Sequence, residues 1–400
     1  MGRSHGSRSR AFQRAVLRAS AVALVLLLAS PSRASAQLVI KLNDSVSFRF
    51  GTLLQSWADW TQDANSRGYS QNFFLRRIRF LLVANVAPGV SVFYQTENAR
   101  LGNAATTGAK NVNTGFQTQD AFLEWKLASD QLMLDAGLFY TPGSRGVVAS
   151  SPAILAFDSP TFGSQQATAT GSTNGRDWGL GLKGYLVGDH LEYRVGAFAG
   201  QRQGQTTQAA PLGPEAGSRN AFRAAARVQY NVFDAEKGYT YVGTNRGTKK
   251  ILAVGGWGDV QGDFKAYGAD LFADIPIGKD AVTAEADYSY FDGGKQFQQI
   301  AGGVATPLLP KQGGFFAVAG YYFDAVKLQP FVRYERLDFR DTAFGSRDQQ
   351  RYGGGINWYI SGQNLKISAF YERIVPKVKA STAVVEDTNH FAVQVQAFYF

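Results

Sequence analysis

The chain has 400 residues, with 41 Lys and Arg against 31 Asp and Glu for a net charge of +10, and it carries 29 Phe, 18 Tyr, 6 Trp and 44 Gly but no Cys. A cysteine-free chain excludes a disulfide scaffold and any thiolate metal or nucleophile site. So heavy a load of aromatics and glycine suits sheet surfaces and turns.

Residues 1–36 read as a signal peptide to be cleaved. Arg3, Arg8, Arg10, Arg14 and Arg18 form a basic lead, 19–28 is an apolar run, and Ala34-Ser35-Ala36 offers small residues for cleavage. The run is too short for an ordinary spanning helix. Cleavage starts the mature chain at Gln37 and removes six of the 41 basic residues and no acidic ones, leaving 35 minus 31, or +4. No later stretch is long and apolar enough for a transmembrane helix.

Residues 37–400 read as a single all-β domain. Alternating, strand-like segments fall at 44–59, 71–86, 88–99, 116–128, 130–140, 174–187, 190–202, 218–232, 249–259, 264–275, 280–291, 312–323, 326–339, 347–360, 364–376 and 388–400. That is sixteen, each long enough to cross a bilayer at a tilt. The links alternate in length. Short ones with Gly, Pro or Asp follow even-numbered strands, as at Ala87-Pro88-Gly89 and Val187-Gly188-Asp189, and longer polar ones follow odd-numbered strands. This sorting is the asymmetry of a transmembrane antiparallel β-barrel. Two links break it: 233–248 is long for the tight-turn end and 260–263 short for the loop end.

One face of each strand is greasy, as in Leu132, Leu134, Ala136, Leu138 and Tyr140, or Leu191, Tyr193, Val195, Ala197 and Ala199. Tyr140, Trp178, Tyr230, Tyr290, Trp358 and Tyr399 near strand ends are expected to form interfacial girdles. The opposite faces carry charge: Arg49, Arg77, Arg79, Lys183, Arg194, Arg202, Arg219, Arg223, Arg227, Arg333, Arg351 and Lys366, with Asp120, Glu124, Asp135, Asp270, Glu285, Asp287, Glu335 and Glu372. A charge in mid-strand is tolerated when its face meets water, so the interior is expected to be a wet pore. Each arginine then has two readings, a solvated wall or a direct part in anion passage.

The longest link, 141–173, follows the fifth strand and holds an apolar patch, Val147-Val148 and 153–157. Folding into the lumen buries it and sets Arg145 and Asp158 at a constriction; a lid over neighbouring loops or a subunit also buries it. The last strand, Thr388–Phe400, alternates Val393, Val395, Ala397 and Tyr399 with Gln394 and Gln396, then brings Phe398 and Phe400 into register with the glutamines, which predicts a slip or twist at its end. It reads as the closing strand of the barrel, or as the edge strand of a soluble β-sandwich.

The runs FRFGTLLQSWADW at Phe48–Trp60, FFLRRIRFLL at Phe73–Leu82, PFVRYERLDF at Pro330–Phe339 and Arg351–Glu372, with the terminal aromatic, resemble the phosphate-selective porin O and P family of outer-membrane channels. The resemblance implies sixteen strands, a trimer, a third loop that narrows the pore and a ladder of arginines; the partners it implies are small anions and other hydrophilic solutes, membrane lipid and lipopolysaccharide, and the outer-membrane assembly machinery. The function expected is a passive pore with a preference for anions such as phosphate. No cofactor, metal or nucleic-acid partner and no enzymatic activity is expected. The only histidines are His5, His190 and His390, and the chain has no G-x-S-x-G, Walker A or H-E-x-x-H motif. Glu285 and Asp287, two apart on one face, read as pore lining rather than an acid/base pair. A barrel hydrolase acting on lipid or peptide, and a non-conducting structural barrel, remain the alternatives.

Overall fold

The computed structural model describes residues 38–104, 108–163, 175–201, 221–301, 304–340, 348–377 and 386–400. The proposed signal peptide, Arg202, Arg219 and residues 164–174 of the long link lie outside the described residues.

The strands are β1 (Leu38–Lys41), β2 (Ser47–Gln62), β3 (Tyr69–Ala87), β4 (Val90–Leu101), β5 (Gln117–Ala128), β6 (Leu132–Tyr140), β7 (Arg176–Leu186), β8 (Leu191–Phe198), β9 (Arg223–Asn231), β10 (Ile251–Gln261), β11 (Phe264–Ile277), β12 (Asp280–Asp292), β13 (Gln298–Ala301), β14 (Val304–Pro307), β15 (Gln312–Tyr322), β16 (Leu328–Phe339), β17 (Gln349–Gln363), β18 (Leu365–Pro376) and β19 (Thr388–Tyr399). β2–β12 and β15–β19 pair antiparallel in one sheet, to which β1 adds by pairing with the start of β2, and the sheet closes where β19 meets β2, from His390 opposite Thr61 to Tyr399 opposite Thr52. Closure leaves no unpaired edge, the condition for a sheet to cross lipid. Each of the sixteen segments expected from the alternation coincides with one barrel strand. Three short strands were not expected: β1, which continues the edge of β2 beside Phe48 and Phe50, and the β13–β14 hairpin within the link from β12 to β15.

Alternation settles which side each residue faces. Along β2, Leu53, Gln55, Trp57 and Asp59 are buried inward while Phe50 and Leu54 are exposed. Trp178, Val195, Tyr230, Val254, Tyr267, Val332 and Tyr371 are likewise exposed, as an apolar outer band requires. The girdle expectation fails at Tyr140, which is only 7% exposed; Tyr290, at 8%, keeps the outer side beside Tyr267, its ring covered by Tyr267 and Arg340. Tyr140 is the last residue of β6, where the chain leaves the wall for the lumen, and packs with Val148 and Tyr241. At the C-terminus no slip occurs. Gln394 and Gln396 face inward, and Phe398 and Phe400 continue that side to line an inner cavity. The Phe400 ring lies against Gly51, where a Cβ would come within 2.4 Å of it, so glycine is required there.

Candidate functional site

The long link after β6 turns into the barrel, the first of the two readings of its sequence. It forms one helical turn, α1 (Arg145–Val148), and a 3-10 turn at Ser151–Ala153. Its apolar residues Val147, Leu155, Ala156, Phe157 and Phe162 join inward side chains of the wall, among them Trp57, Phe74, Trp257, Phe316, Phe331 and Phe370, in one buried cluster. Phe157 stacks on Phe370 at 5.3 Å and meets Trp57 at 4.6 Å. Burial of this patch, with aromatic pairs adding about 0.5–1.5 kcal/mol each, draws the loop inward.

Wall side chains then satisfy the loop backbone. Lys366 Nζ and Gln396 Nε2 both donate to the Pro152 carbonyl at 3.1 Å. Asn357 Nδ2 donates to Leu155 O at 2.8 Å, and Arg227 Nη1 to Gly143 O at 3.1 Å. Arg333 donates to the carbonyls of Asp158 and Ser159 at 3.3 and 3.4 Å. Glu335 accepts from the Thr161 amide and hydroxyl at 3.1 and 2.6 Å. Asp287 accepts from the Ser144 hydroxyl and, at 3.1 Å, from the Gly146 amide. Glu285 reaches Arg145 Nε at 4.0 Å. The Glu285 and Asp287 pair, expected as pore lining, is therefore a loop anchor.

A second insert meets the loop from the opposite end. Residues 232–250, the overlong link between β9 and β10, rise into the lumen. There Tyr241 makes a parallel bridge with Ala149, donating to Val148 O at 3.3 Å and accepting from Ser150 N at 2.8 Å. Gly243 N donates to Ala153 O at 3.1 Å. A Cβ at Gly243 would lie 2.8 Å from the Ile154 Cα and the Leu155 nitrogen, so only glycine permits this approach. Arg145 forks onto Glu236 at 2.7 and 2.8 Å. Burial lowers the pKa of Arg145, but Glu236, Glu285 and Asp270 outweigh it and hold it above its ordinary value. Arg194 secures the insert through the carbonyls of Gly238 and Tyr239 at 3.0 and 2.8 Å.

The charges predicted for the lumen do face it, but most of them are held in ion pairs and not beside open space as expected. Arg223 pairs with Asp259 and Asp177, Arg227 with Asp270 at 2.5 Å, Arg194 with Glu192 at 2.6 Å, and Arg333 with Glu335 at 2.5 Å. Lys183 bridges Glu124 and Asp135 at 2.6 and 3.0 Å, and Arg351 reaches Glu372 at 3.3 Å. The physical reason is the two inserts: they fill the space that would have hydrated these groups, and a buried charge then needs an opposite one at contact distance.

Open space remains on one side, along β2–β7. Three cavities of about 350, 400 and 350 Å³ lie along that wall, and each shares lining residues with the next. The cavity toward the loop end is bordered by Arg76, Arg100 and Glu97, the middle one by Arg76, Arg77, Arg79, Arg100 and Asp158, and that toward the turn end by Arg49, Arg79, Arg176, Asp120 and Glu124. Six arginines thus border this path against four carboxylates. Arg77 and Arg76 clamp Asp158 of the loop at 2.7 and 2.9 Å, Arg79 pairs with Glu97 at 2.6 Å and Arg176 with Asp120 at 2.8 Å. Burial pushes the Asp158 carboxyl up, but Arg76 and Arg77 overcome it and hold it well below the usual carboxylate range. Among the described residues no side-chain carboxylate pairs with Arg49, which stacks over Phe400 at 4.3 Å, or with Arg100, over Phe74 at 5.6 Å.

Of the expected pore-lining cations, Arg49, Arg77 and Arg79 border these cavities. Arg145, Arg227, Arg333 and Lys366 hold the loop, Arg194 holds the second insert, and Lys183 and Arg223 sit in wall ion pairs. Arg76, Arg100 and Arg176 were not expected there. Arg76 is turned inward by a bulge in β3, where the pairing with β2 passes from Arg77 opposite Gln55 to Leu75 opposite Ser56, so two consecutive arginines share the lumen side. Glu236 and Tyr241 were also missed, although a charged, aromatic link on the tight-turn end was their available signal.

The family model described as "Phosphate-selective porin O and P" matches residues 324–400. No curated protein matches the chain. Among solved structures, OprB of Pseudomonas putida is similar at a TM-score of 0.59 and 12% identity over 88% of this chain and 94% of that one. OmpF of Salmonella typhi, in complex with daunomycin, gives 0.56 and 13% over 90% and 100%. The outer membrane channel DcaP of Acinetobacter baumannii gives 0.55 and 11% over 90% and 99%. At such identities the likeness is one of fold. Sheet, inserts and family match together identify the chain as a sixteen-stranded porin-type β-barrel whose resemblance to the phosphate-selective porin O and P family is carried by its final strands, residues 324–400.

Proposed function

We propose that the chain is a passive diffusion channel of a Gram-negative-type outer membrane, carrying small hydrophilic solutes with a preference for anions. The observation that carries this reading is the file of three cavities bordered by six arginines and four carboxylates, with Arg100 and Arg49, which pair with no side-chain carboxylate among the described residues, toward its two ends. Guanidinium groups along a narrow, low-dielectric passage replace part of an anion's hydration and raise its local concentration. The reading concerns anions as a class, phosphate included. Lys183 and Lys366 on the lumen wall are both engaged with the protein, Lys183 by Glu124 and Asp135 and Lys366 by the Pro152 carbonyl.

The same reading makes residues 1–36 a cleaved export signal and the apolar outer band a surface for lipid and lipopolysaccharide. Barrel assembly machinery would insert the protein, as a homotrimer like the trimer form of the similarly folded OmpT of Vibrio cholerae. Planar-bilayer recording tests it: the expected result is ohmic conductance with a reversal potential displaced toward the anion in a salt gradient. Cation preference overturns the charge argument. Silence in the bilayer favours a structural barrel, and hydrolysis of lipid or peptide by the purified protein favours an enzyme.

A further inference from the structure

The cavity toward the turn end differs from the other two in having a ring-lined side. Phe93, Phe122 and Tyr239 pack together, with centroids 5.6 Å apart for Phe93–Phe122, 5.4 Å for Phe93–Tyr239 and 4.7 Å for Phe122–Tyr239. Phe400 joins them at 6.3 Å from Phe93, and Leu53 and Leu81 complete an apolar floor. Arg49, Arg79 and Arg176 border the same cavity, Arg49 against the Phe400 ring at 4.3 Å.

The charges on that side are unequally satisfied. Asp120 is taken up by Arg176 and by the Tyr239 hydroxyl, and Glu124 by Lys183, while Arg79 is committed to Glu97. Among the described residues Arg49 has no side-chain carboxylate partner, and its buried Nε has no hydrogen-bond acceptor. A buried guanidinium donor left unmet next to an aromatic floor is costly for the empty protein and favourable for a ligand that satisfies both. Inorganic phosphate or chloride would satisfy the donor and leave the rings unused. An anion carrying a flat apolar body would use both, its carboxylate at Arg49 and its ring on the Phe93, Phe122 and Tyr239 surface.

We propose that this cavity is a binding site for small aromatic carboxylates, and that such anions are a preferred solute class of the channel. The inference deepens the anion-channel reading, on which its transport part rests; the binding part can be read without conductance. The second insert adds Gly238 and Tyr239 to the site and the inward loop adds Ser150 and Pro152, so both inserts help to enclose it.

The test uses the full mature chain in detergent, titrated calorimetrically with benzoate, acetate and benzyl alcohol against protein-free micelles, and the same solutes added to the turn-end side of a bilayer carrying chloride current. Benzoate is expected to bind and to impede chloride at a concentration about tenfold below acetate, which has the charge without the ring, and below benzyl alcohol, which has the ring without the charge. Arg49→Gln and Phe93→Leu, each checked for an intact barrel by circular dichroism, are expected to remove that gap. Benzoate binding no tighter than acetate overturns the proposal, as does a gap that survives both substitutions. Conductance without the gap leaves the channel standing and removes the site; the gap without conductance does the reverse.

Discussion

Arg333 on β16 and Arg77 on β3 both project into the lumen and both touch the loop near Asp158, yet they do different work. Arg333 donates to carbonyls in a packed layer, whereas Arg77 grips the Asp158 carboxylate at the margin of open space. The same contrast runs round the barrel. From β8 to β18 the inward charges are consumed by the two inserts and by each other, and the lumen there is protein. From β2 to β7 most of them stand beside cavities, with Lys183 and Asp135 among the exceptions. An inward arginine is thus only a fastener where chain surrounds it, and a pore lining as well where, like Arg77, it meets the loop at the edge of a cavity.

Substitutions on the filled side should act on the inserts. Arg145→Ala leaves Glu236 and Glu285 buried without their cation, a change that costs about 3–5 kcal/mol when a buried pair is broken. The expected outcome is loss of protease resistance in 142–162 and a larger, noisier conductance, with recovery when Glu236 is also replaced by an uncharged residue. Unchanged proteolysis would dissolve the distinction between the two sides. On the open side, Arg77→Gln with Arg79→Gln should move the reversal potential toward cations with the loop's protease resistance retained by the apolar cluster around Phe157. A shift no larger than that from Arg223→Gln, on the filled side, would contradict the comparison.

Gly243→Ala forces a Cβ onto the backbone at Ile154 and Leu155 and should weaken the contact of the two inserts by about 1–3 kcal/mol, the usual cost of overpacking. Hydrogen exchange at Gly243 and Tyr241 measures it. The smallest expected effect is that of mild acid on the clamp between Asp158 and Arg76 and Arg77. A carboxylate with a depressed folded pKa contributes stability that is present above its unfolded value, about 3.9, and is lost only as pH falls through the folded one. Conductance should therefore hold steady from neutral pH to about pH 4.5 as far as this clamp decides it, and loop release on reaching that pH would show the clamp is weaker than its geometry implies.

How much of this was legible follows from what each feature depends on. All sixteen barrel strands were, because a wall with lipid outside imposes a period of two on every segment, as in Leu191–Val195. The inward turn of the long loop was half legible: Ala153–Phe157 demanded burial but did not say where. The pairing of charges was not, since nothing along the chain joins Arg145 to Glu236, 91 residues apart. Nor was the side on which Arg76 falls, which a one-residue bulge decides, or the inward facing of Tyr140, which follows from the chain leaving the wall. The terminal aromatics misled for the opposite reason: Phe398 and Phe400 keep the alternation, and what was unreadable was an inner cavity for them to line.

Because the chain has no cysteine of its own, single thiols placed on the two sides of the lumen and tested with a charged, membrane-impermeant thiol reagent during bilayer recording probe the solute path most directly. Ser91→Cys, at the turn-end cavity, should lose current on modification, and Ser368→Cys, 1% exposed on the filled side, should keep it. Loss of current at Ser368→Cys with none at Ser91→Cys would mean that solutes cross on the side the inserts fill, and that the arginines of β3 do not border the path.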